Sequence, residues 1–312
     1  MTEMRPTGDW DGSGFAHEAF VFDSDQQLVE RVVPFATEGF SRDEPVLVVA
    51  GERVRRLLTD ALGRDVRRLS TFAPAETWWQ GGHATLHAYD RTLRALRAAE
   101  PSWRLAAEPV WLASDAGREW SRFEAVANRC YESMPYYSLC LHDRTLLPAP
   151  VLDAVCRTHP LAWGGTGPAP SETYEEPEQF LRSVQPAWQQ RPGDARVDVV
   201  TNVWDARRAV VAAGSEEWRS RADAIVLATH ELVANALRVA PFAELTSWTE
   251  VDTLVLEVAD GGPGLPDETR GYVPPGDDIA DGRGMWLAWS LADDAAVASG
   301  PEGTAIRLYF ER

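Results

Sequence analysis

The sequence predicts two consecutive α/β domains, the first built on a mostly parallel sheet with flanking helices and the second an α/β sandwich. In the first half, short β-branched runs alternate with amphipathic stretches of helical length. A segment rich in glycine and proline follows, and a second set of helical and strand patterns begins after it. With 312 residues, of which 45% are apolar, the chain is long enough to bury two hydrophobic cores.

The first domain is predicted over residues 14–163, where strand and helix patterns alternate. We expect strands at 18–22, 45–50, 66–70, 103–110 and 137–141. We expect helices at 25–39, 52–62, 84–99, 118–132 and 150–158. Strands that alternate with helices in this order are typical of a mostly parallel sheet that is covered on both faces.

Residues 164–177, GGTGPAPSETYEEP, are predicted to form a linker, because glycine and proline disfavour regular structure and the acidic residues keep the segment solvated. The second domain is then predicted over residues 178–312. We expect its strands at 196–203, 253–259 and 305–310, and its helices at 206–213, 218–239 and 284–291. This order predicts helices packed on one face of a mixed sheet.

Composition excludes several classes of function. The formal net charge is −18 at pH 7 and no basic stripe is visible, so no nucleic-acid partner is expected. The sequence contains no lysine, which excludes a phosphate loop of the Walker type. No apolar run is long enough to span a membrane, no secretory signal is visible, and the three cysteines are few and odd in number. We therefore expect a cytoplasmic protein with no membrane segment and no disulfides.

Three segments of the second domain carry the pattern of a nucleotide site. Glu231 and Asn235 lie four residues apart on a predicted helix and therefore on one face. The sequence DGGPG follows the next predicted strand at 260–264, and GRG precedes a helix at 282–284. Glycines at such turns let backbone N–H groups approach phosphate oxygens, and a helix N-terminus attracts the same anion. Each segment alone also fits a solvated face or a turn, whereas the three in this order indicate a nucleotide site.

These segments resemble the N box and the two glycine boxes of the GHKL ATPases. The anti-sigma-factor serine/threonine kinases are the most similar branch, because the region between the glycine boxes is short and GTAIRLYF follows soon after it. The resemblance implies that the domain binds ATP with Mg²⁺, that Asn235 coordinates the Mg²⁺ and that Glu231 is the catalytic general base. It places these residues at the nucleotide: Asn235, Asp260, Gly262, Gly264, Gly282, Arg283, Gly284 and Thr304.

The resemblance also implies that Asp260 accepts a hydrogen bond from the adenine amino group and that residues 265–281 form a lid over the phosphates. Two features depart from the family pattern. Family members commonly carry a histidine after the basic residue of the N box, where this sequence has Val239, and the lid contains the acidic pair DD at 277–278. These departures affect the expectation of catalysis more than that of ATP binding.

Four segments of the first half form a second pattern: GFAHEAFVFDSD, PFATEGFSRDEPVLVVA, SLCLHD and VLDAVCRTHP. They resemble the MEDS sensory domain, a RecA-like α/β module that often precedes a GHKL domain. The resemblance implies a small-molecule ligand, often hydrocarbon-derived, whose identity it does not give. No phosphate loop is present, so we expect no nucleotide in this half.

The histidines and cysteines of the first half leave a metal site open. Cys140 and His142 lie on one face of a predicted strand, and Cys156 and His159 lie three residues apart near the end of a predicted helix. The four side chains could converge on a metal, although their spacing matches no standard zinc pattern and buried thiols are commonly structural. His17, in the first strand, could line a ligand pocket or make a structural hydrogen bond.

The two resemblances together imply a signalling regulator in which a sensory domain controls an ATP-dependent serine/threonine kinase that acts on transcription. The implied partners are a sigma factor and its anti-sigma antagonist, and the oligomeric state stays open, a homodimer included. One alternative is a non-catalytic module that binds a protein under the control of ATP. Another is a histidine kinase, which needs a phosphoacceptor histidine on a helix, whereas His159 precedes a proline and a glycine-rich segment that end a helix.

Overall fold

The structure is a computed structural model that describes residues 7–73, 82–113, 117–184, 188, 190–213, 216–267, 269–272 and 283–312. The chain divides into two compact units, Met1–Phe180 and Leu181–Arg312. Within the described ranges, no helix is both long and apolar enough to cross a membrane. The α/β class predicted for both halves is confirmed.

The first unit contains a seven-stranded sheet whose strands are mostly connected by helices. Its strands are β1 (Ala16–Phe22), β2 (Val46–Val49), β3 (Leu69–Phe72), β4 (Trp103–Ala107), β5 (Tyr136–Asp143), β6 (Leu161–Trp163) and β7 (Pro168–Pro170). The helices are α1 (Asp25–Ser41), α2 (Glu52–Leu62), α3 (Gly82–Ala99), α4 (Gly117–Tyr131), α5 (Ala149–Thr158) and α6 (Pro177–Val184), which crosses the division between the units. The order β3-β2-β4-β5-β1-β6-β7 is parallel except for the pair β6 and β7.

The centre of this sheet is buried on both faces. Every residue of β4 and β5 is buried, as expected for parallel strands that are covered by helices. Helix α1 begins at Ser24, whose hydroxyl accepts a hydrogen bond from the N–H of Gln27, and it packs Leu28 and Phe35 into the core. The strand predicted at 66–70 is partly wrong, because residues 63–68 form a 3₁₀ helix and β3 begins only afterwards.

The segment 164–177 differs from the linker without regular structure that the sequence predicts. Residues 168–170 form β7, which pairs antiparallel with β6 at the edge of the sheet. Proline is tolerated at a sheet edge because the lost N–H is not needed in the ladder there. Farther along, Arg157 donates two hydrogen bonds to Glu175, at 2.8 and 3.0 Å, and its carbonyl accepts the Glu175 N–H at 2.9 Å. These contacts tie much of the segment to the first unit, while the predicted domain boundaries stay predictions.

The second unit contains a five-stranded sheet, of order β11-β12-β10-β9-β8, with three α-helices among its described residues. Its strands are β8 (Arg196–Val200), β9 (Ala243–Glu250), β10 (Thr253–Asp260), β11 (Asp294–Gly300) and β12 (Gly303–Glu311), and its helices are α7 (Val203–Ala213), α8 (Ala222–Val239) and α9 (Arg283–Leu291). Every neighbouring pair is antiparallel, so the predicted mixed sheet is wrong for these strands. Short connections at 251–252 and 301–302 account for two of these pairs, β9 with β10 and β11 with β12, because two-residue connections can only join antiparallel strands.

Helix α8 positions the polar residues of the predicted N box. Its buried stripe includes Ile225, Leu232 and Val233, which anchor one side of the helix in the core. Glu231 and Asn235 are only partly buried and lie beside that stripe. The helix therefore holds both polar side chains at the border between core and solvent.

Candidate functional site

The start of helix α9 lies directly against the polar face of helix α8. A Cβ atom placed on Gly284 would lie 2.5 Å from Glu231 Oε2 and 3.4 Å from Asn235 Nδ2. The structure therefore brings together Glu231, Asn235 and Gly284, which are separated by about fifty residues of sequence. Because α9 begins at Arg283, the positive end of this helix lies beside the two polar side chains.

The end of helix α8 also contacts the first glycine segment. Val239 Cγ2 would lie 2.6 Å from a Cβ atom on Gly262, so the side chain that stands in place of the family's histidine packs on this glycine. Arg238 donates a hydrogen bond to the amide oxygen of Asn235. The predicted magnesium ligand thus already has a cationic partner in this structure.

Asp260 ends strand β10 and shapes the turn that follows it. Its Oδ1 atom accepts the N–H of Gly262 at 2.8 Å. The second carboxylate oxygen has no hydrogen-bond partner among the described residues and is available to a ligand. Gly303 reinforces this geometry, since a Cβ on it would lie 2.0 Å from the Asp260 carbonyl oxygen and its φ is +138°. The beginning of β12 can approach the aspartate this closely only because residue 303 is glycine.

Thr304 lies opposite Asp260 in the ladder between β12 and β10 and is buried. Its hydroxyl is 3.2 Å from the hydroxyl of Ser299, which in turn accepts the N–H of Leu265 at 2.7 Å. Gly264, with φ of +86°, passes so close to the Gly300 carbonyl that a Cβ would lie 2.5 Å from its oxygen. Ser299 was not predicted from the sequence, because a lone serine in an alanine-rich strand carries no motif.

The structure describes only some of the remaining predicted site residues. Arg283 is the first residue of α9 and is exposed. Gly282 and most of the predicted lid at 265–281 lie outside the described residues. The donor set fits a nucleotide with its metal, because the second Asp260 carboxylate oxygen can accept a hydrogen bond from a ligand and the Asn235 amide oxygen is the kind of ligand that Mg²⁺ prefers.

Comparison with known families agrees with this geometry. Residues 194–310 match the model of the family described as Histidine kinase-like ATPase domain. Residues 16–160 match the family described as MEDS, MEthanogen/methylotroph, DcmR Sensory domain. The chain therefore carries a MEDS domain followed by a histidine kinase-like ATPase domain, as the resemblances predicted, and this combination is that of a kinase-like signalling regulator. ATPase domains of this kind bind ATP, usually with Mg²⁺.

Two solved structures show weak similarity. Acinetobacter baumannii histidine kinase AdeS is 13% identical, covers 43% of this chain and 75% of its own, and gives a TM-score of 0.25. The catalytic domain of histidine kinase ThkA, in a nucleotide-free form, is 15% identical, covers 37% of this chain and 97% of its own, and gives a TM-score of 0.26. Neither similarity bears on the substrate of this chain. No curated protein matches the sequence.

In the MEDS domain, the four residues that the sequence offered as metal ligands do not form one group. Cys140 and His159 converge with His17 and with Glu124, and all four are buried. Cys156 is not part of this group. His142 is fully buried beside it, and desolvation together with the nearby His17 lowers the pKa of His142 to about 3, so its ring is neutral. The sequence does not predict Glu124 as a member of this group, because a glutamate on an amphipathic helix is expected on the solvated face.

Proposed function

We propose that this chain is a signalling regulator in which the MEDS domain controls an ATP-dependent protein serine/threonine kinase domain of the anti-sigma-factor type. The observation that carries the proposal is the contact of Gly284 with Glu231 and Asn235, because it sets a candidate base and a candidate metal ligand beside the N-terminus of α9. The proposed protein partners are a sigma factor and its antagonist.

The residues of the site have distinct roles in this proposal. Asp260 would accept a hydrogen bond from the adenine amino group, and the Asn235 amide oxygen, which Arg238 contacts in this structure, would hold Mg²⁺. When bound, Mg·ATP supplies the transferable phosphoryl group. Glu231 accepts the proton of the attacking serine or threonine hydroxyl, whose oxygen bonds to the γ-phosphorus as the bond to the ADP oxygen breaks.

A non-catalytic regulator is the second candidate, and two contacts favour it. Val239 packs its apolar side chain on Gly262 where the family has a histidine. Arg238 binds the Asn235 oxygen that would coordinate the metal. In this alternative ATP binding changes the affinity for a protein partner, and no phosphate is transferred.

A histidine kinase has less support from the described histidines. His159 precedes the segment between the domains, and its side chain is fully buried. A phosphoacceptor must reach the γ-phosphate of a bound nucleotide, so a fully buried ring at this position does not serve. His17 and His142 are buried as well, and His230, which is only partly buried, lies within the ATPase domain directly before Glu231.

Two substitutions on helix α8 test the kinase. Glu231→Gln keeps ATP affinity within a few-fold and lowers phosphoryl transfer by roughly 10² to 10⁴ if Glu231 is the base. Asn235→Ala weakens both ATP binding and transfer, because the metal is bound in the ground state too. Glu311→Gln, at the far end of β12 from Thr304, is the matched control and changes neither quantity.

The substrate for this assay is a protein captured by the full chain with and without ATP. Phosphate on serine or threonine survives acid treatment, whereas phosphate on histidine is lost, so acid stability of the label separates the two kinase classes. A wild-type protein that binds ATP but labels no captured partner would leave the non-catalytic regulator as the correct proposal.

A further inference from the structure

A closed group of four polar side chains lies beneath the helices of the MEDS domain. We call it the His17 cluster: His17 from β1, Cys140 from β5, Glu124 from α4 and His159, which follows α5. One ligand atom from each of the four lies within 4.8 Å of the others. All four residues are at most 4% exposed, so water does not solvate them. Such a buried polar group needs partners of its own.

The hydrogen-bond network around His17 fixes which ring nitrogen faces the cluster. The Asn128 amide NH₂ donates to the Thr158 carbonyl at 2.7 Å, which turns the Asn128 amide oxygen toward His17. That oxygen accepts a hydrogen bond from His17 Nδ1 at 2.9 Å. In the neutral ring, Nε2 of His17 therefore carries a lone pair, and it faces Glu124 at 3.2 Å and the Cys140 sulfur at 3.4 Å.

The ring of His159 is oriented in the same way. Its Nδ1 atom lies 2.8 Å from the Val155 carbonyl, which can only accept, so Nδ1 carries the proton. Its Nε2 atom is buried, has no hydrogen-bond partner among the described residues, and lies 3.7 Å from Glu124 Oε2. Two imidazole lone pairs thus point at one carboxylate and one sulfur, and once Cys140 is a thiolate this arrangement of acceptors calls for a cation at its centre.

We propose that the His17 cluster binds one divalent transition-metal ion, and that zinc is the ion it suits best. Two imidazole nitrogens, a thiolate and a carboxylate oxygen are all zinc ligands. Ligand atoms about 2.0 to 2.3 Å from a tetrahedral zinc ion lie roughly 3.3 to 3.7 Å from one another. Three of the six separations, 3.2, 3.4 and 3.7 Å, lie at or close to that spacing, and the others lie within 4.8 Å.

The surroundings of the His17 cluster also resemble those of metal sites in proteins. A histidine that binds a metal commonly donates its other N–H to a carbonyl or amide oxygen, as His17 does to Asn128 and His159 does to Val155. Four protein ligands complete a tetrahedron and leave no open position, which is the arrangement of a structural rather than a catalytic ion. The metal would fasten two strands of the sheet to helix α4.

The experiment uses the full chain, stripped with a chelator and titrated with Co²⁺ and then Zn²⁺. We expect one equivalent of cobalt, with the near-ultraviolet thiolate band and strong visible bands of a tetrahedral site, and displacement of cobalt by zinc. Cys140→Ser abolishes the thiolate band. Asn128→Ala weakens metal binding roughly 10- to 100-fold, the usual effect of losing a residue that orients a ligand. Cys156→Ser, outside the cluster, is the matched control and changes nothing.

X-ray absorption at the zinc edge of the wild type keeps the test independent of how the variants fold. We expect one sulfur at about 2.3 Å and nitrogen or oxygen ligands at about 2.0 to 2.2 Å. Substoichiometric metal in the wild type, a first shell without sulfur, or a thiolate band that survives in Cys140→Ser would overturn the proposal. The cluster would then be a network that shares protons among His17, Glu124 and Cys140.

Discussion

Gly284 packs on Glu231 so closely that a Cβ atom at position 284 would lie 2.5 Å from the Glu231 Oε2 atom. That distance is shorter than the contact between a nonbonded carbon and oxygen, so glycine is what lets the Glu231 carboxylate lie against the first turn of α9. The obstacle is the end of a flexible side chain and not backbone. A larger residue at 284 would therefore move the carboxylate rather than the helix.

We expect Gly284→Ala to separate activity from stability. Alanine is favoured over glycine in a helix by roughly 0.5 to 1 kcal/mol, which offsets the cost of rotating Glu231. The melting temperature should stay close to that of wild type, whereas phosphoryl transfer should fall by roughly tenfold or more because the base is displaced. Calorimetry and initial rates measured on one preparation check both expectations.

Two other glycines serve as controls for that substitution. Nothing lies within 4 Å of a Cβ on Gly193, which lies outside the glycine segments of the site, so Gly193→Ala should change neither stability nor rate. Gly303→Ala should lower the free energy of unfolding by roughly 1 to 3 kcal/mol, and with it the melting temperature, because the Cβ meets backbone at 2.0 Å and φ is +138°. Wild-type rates in Gly284→Ala would show that the position of Glu231 does not matter.

We expect Asp260→Asn to keep the fold and lose the response to ATP. The asparagine oxygen can still accept the Gly262 N–H, so the turn after β10 survives. At 100 times its dissociation constant, Mg·ATP should stabilise the wild-type domain by about 2.7 kcal/mol, and most of this gain should vanish in the variant. Thermal melts with and without Mg·ATP measure it. Asp252→Asn, at the opposite end of β10, should respond like the wild type.

The sequence predicts the framework of each domain better than its edges. The Ser24 cap and an amphipathic pattern indicate helix α1, and this helix begins at the predicted residue. Strands β9 and β11 were not predicted, because AELTSWTE and DAAVASG contain many residues of low strand propensity. Their place in the sheet comes from the hairpins that join them to β10 and β12.

In the two candidate sites as well, the sequence predicts some contacts and misses others. The order of three short motifs indicated which segments meet, and Gly284 does contact Glu231 and Asn235. No motif pointed to Glu124, whose burial depends on how α4 packs over the sheet. Pairing of β1 with β5 sets Ala19 opposite Cys140, and this register brings His17 within reach of the thiol. Register of this kind is a tertiary property that local sequence does not determine.

We expect Asp143→Asn to destabilise the MEDS domain near neutral pH and to leave its stability in acid close to that of the wild type. Burial raises the pKa of the Asp143 carboxyl, but hydrogen bonds from Thr145 and Arg53 outweigh it and leave this pKa below its ordinary value. An ionised Asp143 therefore stabilises the fold above the unfolded pKa of about 3.9, and this stabilisation is lost as pH falls through the lower folded pKa. Denaturation midpoints from pH 7 to pH 3 should differ between the two proteins near neutrality and converge in acid. A constant difference at every pH would show that Asp143 acts through packing alone.

We expect substitutions of Glu257 and Arg307 to have strongly non-additive effects on the free energy of unfolding. Arg307 Nε donates to Glu257 Oε2 at 2.5 Å, both side chains are 2% exposed, and Trp188 and Trp248 flank the guanidinium at 4.0 and 5.0 Å. Glu257→Ala leaves a buried cation without this partner, and such a loss typically costs about 3 to 5 kcal/mol. Arg191 also donates to Glu257 Oε1, but it is partly exposed and pairs with Glu244 as well. The double variant Glu257→Leu with Arg307→Met removes the two buried charges and fills the space with apolar atoms, so it should cost much less than the sum of the single changes. Urea unfolding of the four proteins completes the cycle, with ATP binding as the control that each variant still folds. Additive costs would mean that the pair is solvated in solution and that the tryptophans, rather than the carboxylate, hold Arg307 in place.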